Sequence, residues 1–181
     1  MESSAKRILV AGIGNIFLGD DAFGTEVAQR LLRLPPRDGV AVIDFGIRGL
    51  DLMYALGDGY DVAILIDAVP RGEEPGTLFL LEPLLDGDSA EASSPPLEAH
   101  SMDPLKVLRA VAATGTLPAR TFIVGCQPAP VPDEDEMRMD MSAPVRGAIE
   151  PAVAMVQEIV SRHIGEQPDK LHLVHSQELP C

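Results

Sequence analysis

Four aspartates, an asparagine and a histidine stand where a cation could be held or a proton moved: Asn15, the adjacent pair Asp20 and Asp21, Asp44, Asp67 and His100. Asp67 is the least ordinary, because it follows the apolar run "VAILI". A carboxylate there is costly to desolvate unless it is paired, hydrogen-bonded or bound to a cation. Two carboxylates and an imidazole form a donor set with open positions, suited to Zn, Ni or another divalent ion. The same groups can serve as general acids and bases. Simpler roles stay open beside these. One of Asp20 and Asp21 can cap a helix, worth about 1 kcal/mol, which leaves the other free. Asp44 can anchor the glycine turn that follows it, and His100 can be an ordinary loop histidine.

The elements that must carry these residues are legible from apolar periodicity. Five strands are expected at residues 7–13, 39–46, 61–69, 76–83 and 119–128. Between them, helical spacing marks 21–34 with Val27, Leu31 and Leu34 on one face, a short helix at 50–56, and 101–115 with Ser101 as cap and Gly115 as stop. A long helix is expected at 143–164. Residues 84–99, rich in Ser, Pro and acid, and 128–141, rich in acid and Met, read as long loops, and 165–181 as a frayed tail after a single domain spanning 1–164. Strands alternating with helices predict an α/β sandwich around a mostly parallel sheet. Such sheets bind ligands at the carboxyl ends of their strands, which is where Asn15, Asp20, Asp21, Asp44 and Asp67 fall.

Composition narrows the partners. Fourteen Lys and Arg stand against 28 Asp and Glu, a net charge of −14, so no cationic surface offers itself to a phosphate backbone or an anionic membrane. The hydrophobic fraction is 46% with 4% aromatics and no Trp, an aliphatic core of the kind buried parallel strands require. Lys6-Arg7 before "ILVAGIGNIFLG" imitates a signal peptide, but no small-residue cleavage site follows and the run is shorter than the roughly 20 residues of a membrane span. Cys126 and Cys181 lack metal-type spacing; a reducing, cytoplasmic setting and a buried, inert Cys126 are expected.

Several chemistries lack their parts. "GIGNIF" has Phe17 where a dinucleotide fingerprint needs its third glycine. No phosphate-binding loop ending in Gly-Lys-Ser/Thr, no Gly-x-Ser-x-Gly elbow and no His-Glu-x-x-His helix occurs.

"GIGNIFLGDDAFG" resembles the Gly-x-Gly-Asn-x-Leu-x-x-Asp-Asp/Glu-x-x-Gly motif of the [NiFe]-hydrogenase maturation endopeptidases. The likeness continues in the strand ending at Asp67 with a Pro-Gly-Thr turn after it, in "HSMDPLKVL" and in "MSAPVRGAIEPAVAMV", and covers roughly residues 7–163. The resemblance implies a three-layer α/β/α sandwich of phosphorylase/hydrolase-like architecture around a five-stranded twisted sheet. It also implies removal of a C-terminal extension from the hydrogenase large-subunit precursor after nickel insertion, by a monomeric enzyme. The metal-contacting trio carries over to Asp21, Asp67 and His100, with Asp20 and Asp44 as candidates for proton handling. The nickel would arrive with the substrate; Zn or another divalent ion would bind the isolated trio only weakly.

One turn departs from the family. Where Asp-Gly-Gly-Thr-x-Gly is common, this chain reads Asp44-Phe45-Gly46-Ile47-Arg48-Gly49. Asn15, Gly46, Arg48 and Gly49 are the candidate substrate contacts, with Arg48 suited to a carboxylate on the precursor's tail. The altered turn also keeps open a chaperone that checks for nickel on the large subunit without cutting it. A nucleoside phosphorylase-like enzyme, the third class, would want a basic phosphate pocket that this acidic chain does not offer.

Overall fold

The structure is a computed structural model that describes residues 6–83, 104–115, 117–130 and 140–164. Within them the chain forms β1 (Ile8–Ile13), a 3-10 turn (Gly19–Ala22), α1 (Phe23–Leu32), β2 (Val40–Gly46), α2 (Gly49–Leu56), β3 (Val62–Ala68), β4 (Leu78–Leu81), α3 (Pro104–Thr114), β5 (Arg120–Cys126) and α4 (Ala143–Ile164). The expected elements are all present, with ends moved by a few residues. Ser101 and the loop 84–99 lie outside the described residues, as do the tail 165–181, Cys181 and residues 131–139. Leu34 departs from the expectation. It lies past the end of α1 and is 38% exposed, while Val27 and Leu31 are buried.

The strands make one sheet in the order β2-β1-β3-β5-β4, all parallel except β4, which runs antiparallel to β5. The chain is an α/β protein with helices on both faces of a five-stranded, mostly parallel sheet. Alternate residues of each central strand feed opposite layers. Ile8, Val10, Val62, Ile64 and Ile66 pack with Phe23 and Val27 of α1 and Val145, Ile149 and Val156 of α4. Leu9, Ala11, Ala63 and Leu65 pack with Leu52 and Leu56 of α2 and Leu108 and Val111 of α3. This two-sided burial is why β1 and β3 read as unbroken aliphatic runs.

The order decides where a site can form. From β1 the chain crosses to β2 on one side, and from β2 it crosses back to β3 on the other side of β1. The carboxyl ends of β1 and β3 therefore flank the point where successive connections diverge, and a crevice opens there. The connection between β1 and α1 carries Asn15, Asp20 and Asp21, and the end of β3 carries Asp67.

Candidate active site at the carboxyl rim

Glycines permit the tight turn after β1. Gly14 has φ +140°, and a Cβ on it would overlap the carbonyl oxygen of Asp21. Gly24, in the first turn of α1, is pressed on the backbone carbonyls of both Ile13 and Ile66, with no room for a methyl group. Because Ile66 immediately precedes Asp67, this contact draws the Asp20-Asp21 turn against the end of β3. The Asn15 N–H donates to Asp21 Oδ2 at 2.8 Å, and Asn15 Oδ1 accepts from the Phe17 N–H at 3.0 Å. Burial raises the Asp21 pKa above the ordinary 3.8, against the smaller opposing effect of the Asn15 N–H. Asp21 Oδ1 accepts no hydrogen bond from the described residues.

Asp67 is 4% exposed, and its Oδ1 accepts from the neighbouring Ala68 N–H at 2.9 Å. Its register partner on β5 is Gly125, whose own partner on β4 is Phe79. The Phe79 ring fills the space a side chain at Gly125 would need. The connection from β3 to β4 is held by Gln127, a buried residue whose Oε1 accepts from the N–H groups of Arg71 at 2.6 Å and Glu73 at 3.3 Å. Its backbone completes the hold, with Gly76 N–H donating to Gln127 O at 2.8 Å and Gln127 N–H to Thr77 O at 2.9 Å.

His100, the third member of the expected trio, lies outside the described residues. Pro104, four residues on, opens α3, which leads into the parallel strand β5 and so runs down from the carboxyl rim. Among the described residues no group of three His, Cys, Asp or Glu side chains is placed to hold a metal ion.

The other predicted residues take distinct places. Asp20 caps neither the 3-10 turn nor α1, so the local-capping expectation is corrected. Its Oδ2 accepts from the Ala129 N–H at 2.8 Å and the Ser142 hydroxyl at 2.9 Å, and its Oδ1 from the Ser142 N–H at 2.6 Å. Asp44 accepts from the Gly46 N–H at 3.0 Å and from Gln29 Nε2 at 2.9 Å, which anchors the turn at whose centre Gly46 has φ +55°. Arg48 turns back on its own strand. Its Nε donates to Phe45 O at 3.0 Å and its Nη2 to Asp44 O, while Nη1 stands 3.6 Å from Asp51. Gly49 begins α2. The Gly14 N–H donates to Gly46 O at 3.1 Å, so the turns after β1 and β2 leave the rim side by side.

A sequence model of the hydrogenase maturation proteases matches residues 25–159 of this chain. The chain belongs to the hydrogenase maturation protease family. It is 33% identical over 156 residues to the hydrogenase 2 maturation protease of Escherichia coli, covering 83% of this chain and 88% of that one. It is also 33% identical over 150 residues to the hydrogenase expression/formation protein HupD of Rhizobium leguminosarum, covering 82% and 71% respectively. Among solved structures it is similar to the hydrogenase maturating endopeptidase HybD from E. coli, with a TM-score of 0.66, 27% identity, and 86% of this chain and 93% of the other covered.

Three residues of this maturation protease escaped or answered the sequence reading. Cys126 is buried, and burial, followed by the nearby Asp20 carboxylate, pushes its thiol up to about 11, so a thiolate nucleophile is not available there. Ser142 and Gln127 had no sequence signal, because their partners, the Asp20 carboxylate and the Arg71 and Glu73 N–H groups, are distant in sequence. Beside the rim, Ile16, Phe17, Leu18, Ile47 and Leu50 expose large apolar side chains, Phe17 by 62% and Ile47 by 65%. Charge is absorbed locally in this strip, Arg48 by Asp51 and Asp44 by Gln29.

Proposed function

We propose that this protease removes the C-terminal extension of a [NiFe]-hydrogenase large-subunit precursor after nickel insertion, and that the nickel seated in the precursor is its recognition element. The observation that carries the reading is the approach of Asp21 and Asp67 to one crevice, from the ends of β1 and β3, with Asp21 in a partly dry setting. Two carboxylates converging on the crevice at the switch point of the sheet suit a metal that arrives with its substrate. Asp21, Asp67 and His100 contact that nickel, and a trio with two hard carboxylates and no thiolate holds a metal weakly on its own.

The chemistry follows from which groups are engaged. The substrate's nickel polarises the scissile carbonyl or the attacking water. The carboxylates of Asp20 and Asp44 are occupied by three and two hydrogen bonds. Asp21 keeps an oxygen without a described partner and has a raised pKa, which fits it best to accept the proton of the attacking water. The apolar strip beside it suits the polypeptide on which a protease acts. The enzyme meets its precursor in the cytoplasm, the setting expected for a chain whose two cysteines lack a disulfide or metal pattern.

The test incubates nickel-loaded and nickel-free precursor with wild type, Asp21→Asn, Asp67→Asn and His100→Ala, and reads the large-subunit mass. Shortening of the loaded precursor by wild type alone is expected. An unchanged mass with wild type overturns the protease reading, and shortening of the nickel-free precursor overturns nickel recognition.

A further inference from the structure

The Asp20 carboxylate joins three segments that are far apart in sequence: the turn carrying Asp21, the exit of β5 at Ala129, and the residue preceding α4, Ser142. Three donors meet on one half-buried carboxylate, and charge-assisted bonds of this length are among the stronger ones. The same two segments hold the other side of the crevice. Gln127, two residues before Ala129, ties down the connection that leaves β3 just after Asp67. Gly76 in that connection lies so close to Pro144 of α4 that an added Cβ would stand 2.6 Å from the Pro144 carbonyl oxygen. The β5 exit and the start of α4 thus form a common abutment. Asp20 fastens the Asp21 turn to it, while Gln127 and Gly76 fasten the chain beyond Asp67.

We propose that Asp20 is a positioning residue, not a proton carrier: its clasp on Ala129 and Ser142 sets the Asp21 turn relative to Asp67, and so sets the opening between the two carboxylates. This rests on the maturation-protease mechanism proposed above. Geometry of this kind acts on the rate of the chemical step more than on substrate affinity, because displacement of a reacting group by about 1 Å can cost on the order of 100-fold in rate.

The decisive comparison is between Asp20→Asn and Ser142→Ala, separately and together, with kcat and KM measured for cleavage of the nickel-loaded precursor across pH. Ser142→Ala keeps the Asp20 carboxylate and its charge while removing one strand of the clasp. A positioning role predicts that kcat falls in both single variants, by about 10-fold or more for Asp20→Asn. KM stays within about 2-fold, the pH profile keeps both its limbs, and the double variant is little worse than Asp20→Asn because both act through one clasp. Loss of a pH limb in Asp20→Asn with normal kcat in Ser142→Ala would overturn the proposal in favour of proton transfer by Asp20. Additive losses would overturn it as well. The clasp is also readable without cleavage, since the Ala129 and Ser142 amide protons should exchange slowly in wild type and fast in Asp20→Ala. Equal exchange rates refute the clasp itself, whereas absent cleavage by wild type alongside protected amides refutes only the protease reading.

Discussion

Ser142 donates both its backbone N–H and its hydroxyl to the carboxylate of Asp20, at 2.6 and 2.9 Å, across 122 residues of sequence. Removing that carboxylate leaves the Ser142 and Ala129 N–H groups without their acceptor. Asp20→Ala is therefore expected to lower folding stability by on the order of 2–3 kcal/mol in urea unfolding, and Asp20→Asn by less, because an amide oxygen can still accept one of the bonds.

Asp21 sets function against stability. Its folded-state pKa is raised above 3.8 by burial, so the fold favours the neutral acid and ionisation costs stability. That cost is absent below pH 3.8, grows as pH rises through the raised value, and persists above it. Asp21→Asn keeps an oxygen for the Asn15 N–H and carries no charge. It should unfold at a higher temperature than wild type at pH 7, with the gap closing below pH 3.8, and it should not cleave precursor. An equal or lower Tm at pH 7 would contradict a net desolvation cost at this carboxylate.

Gly24 leaves the first turn of α1 no room for a methyl group between the Ile13 and Ile66 carbonyls. Gly24→Ala is expected to cost about 3 kcal/mol or more, since backbone rather than a flexible side chain must yield. Gly147, whose surroundings are open, is the control; Gly147→Ala should leave stability unchanged or raise it by up to about 1 kcal/mol, as alanine is the better helix former.

Cys126 should be chemically silent. With its thiol pushed up to about 11, roughly one molecule in a thousand is thiolate at pH 8, and the side chain is buried. Alkylating reagents at neutral pH should leave precursor cleavage at its original rate, and Cys126→Ala should retain activity while losing some core stability. Inactivation that tracks modification of Cys126 would require a different nucleophile from the one proposed.

The apolar strip gives a prediction of the opposite kind. Phe17→Glu and Ile47→Glu alter exposed side chains, so stability should stay within about 0.5 kcal/mol. If the precursor lies across this strip, KM should rise several-fold with little change in kcat, the reverse of the effect expected for Asp20. Arg48, whose guanidinium is engaged by Phe45, Asp44 and Asp51, gives a stability loss as its first effect when changed to Ala.

The sequence by itself determined the layers and the rim. Short aliphatic runs between turn signals fit the central strands of a covered parallel sheet, and α4 is read at its observed limits because its apolar stripe continues through Pro151. Asp67 was conspicuous for the same reason, a charge closing a run that must be dry. What only the tertiary structure decided is which side chains meet. Strand order placed the ends of β1 and β3 together, and close approach at Gly14 and Gly24 brought Asp21 to the end of β3. Asp20 was legible as a helix cap, since capping is a local rule, and it proved instead to bind Ala129 and Ser142. Hydrogen bonds to distant backbone leave no periodicity or spacing in a sequence. The roles of Asp20, Ser142 and Gln127 arise only when folding brings the start of α4 and the exit of β5 to the carboxyl rim.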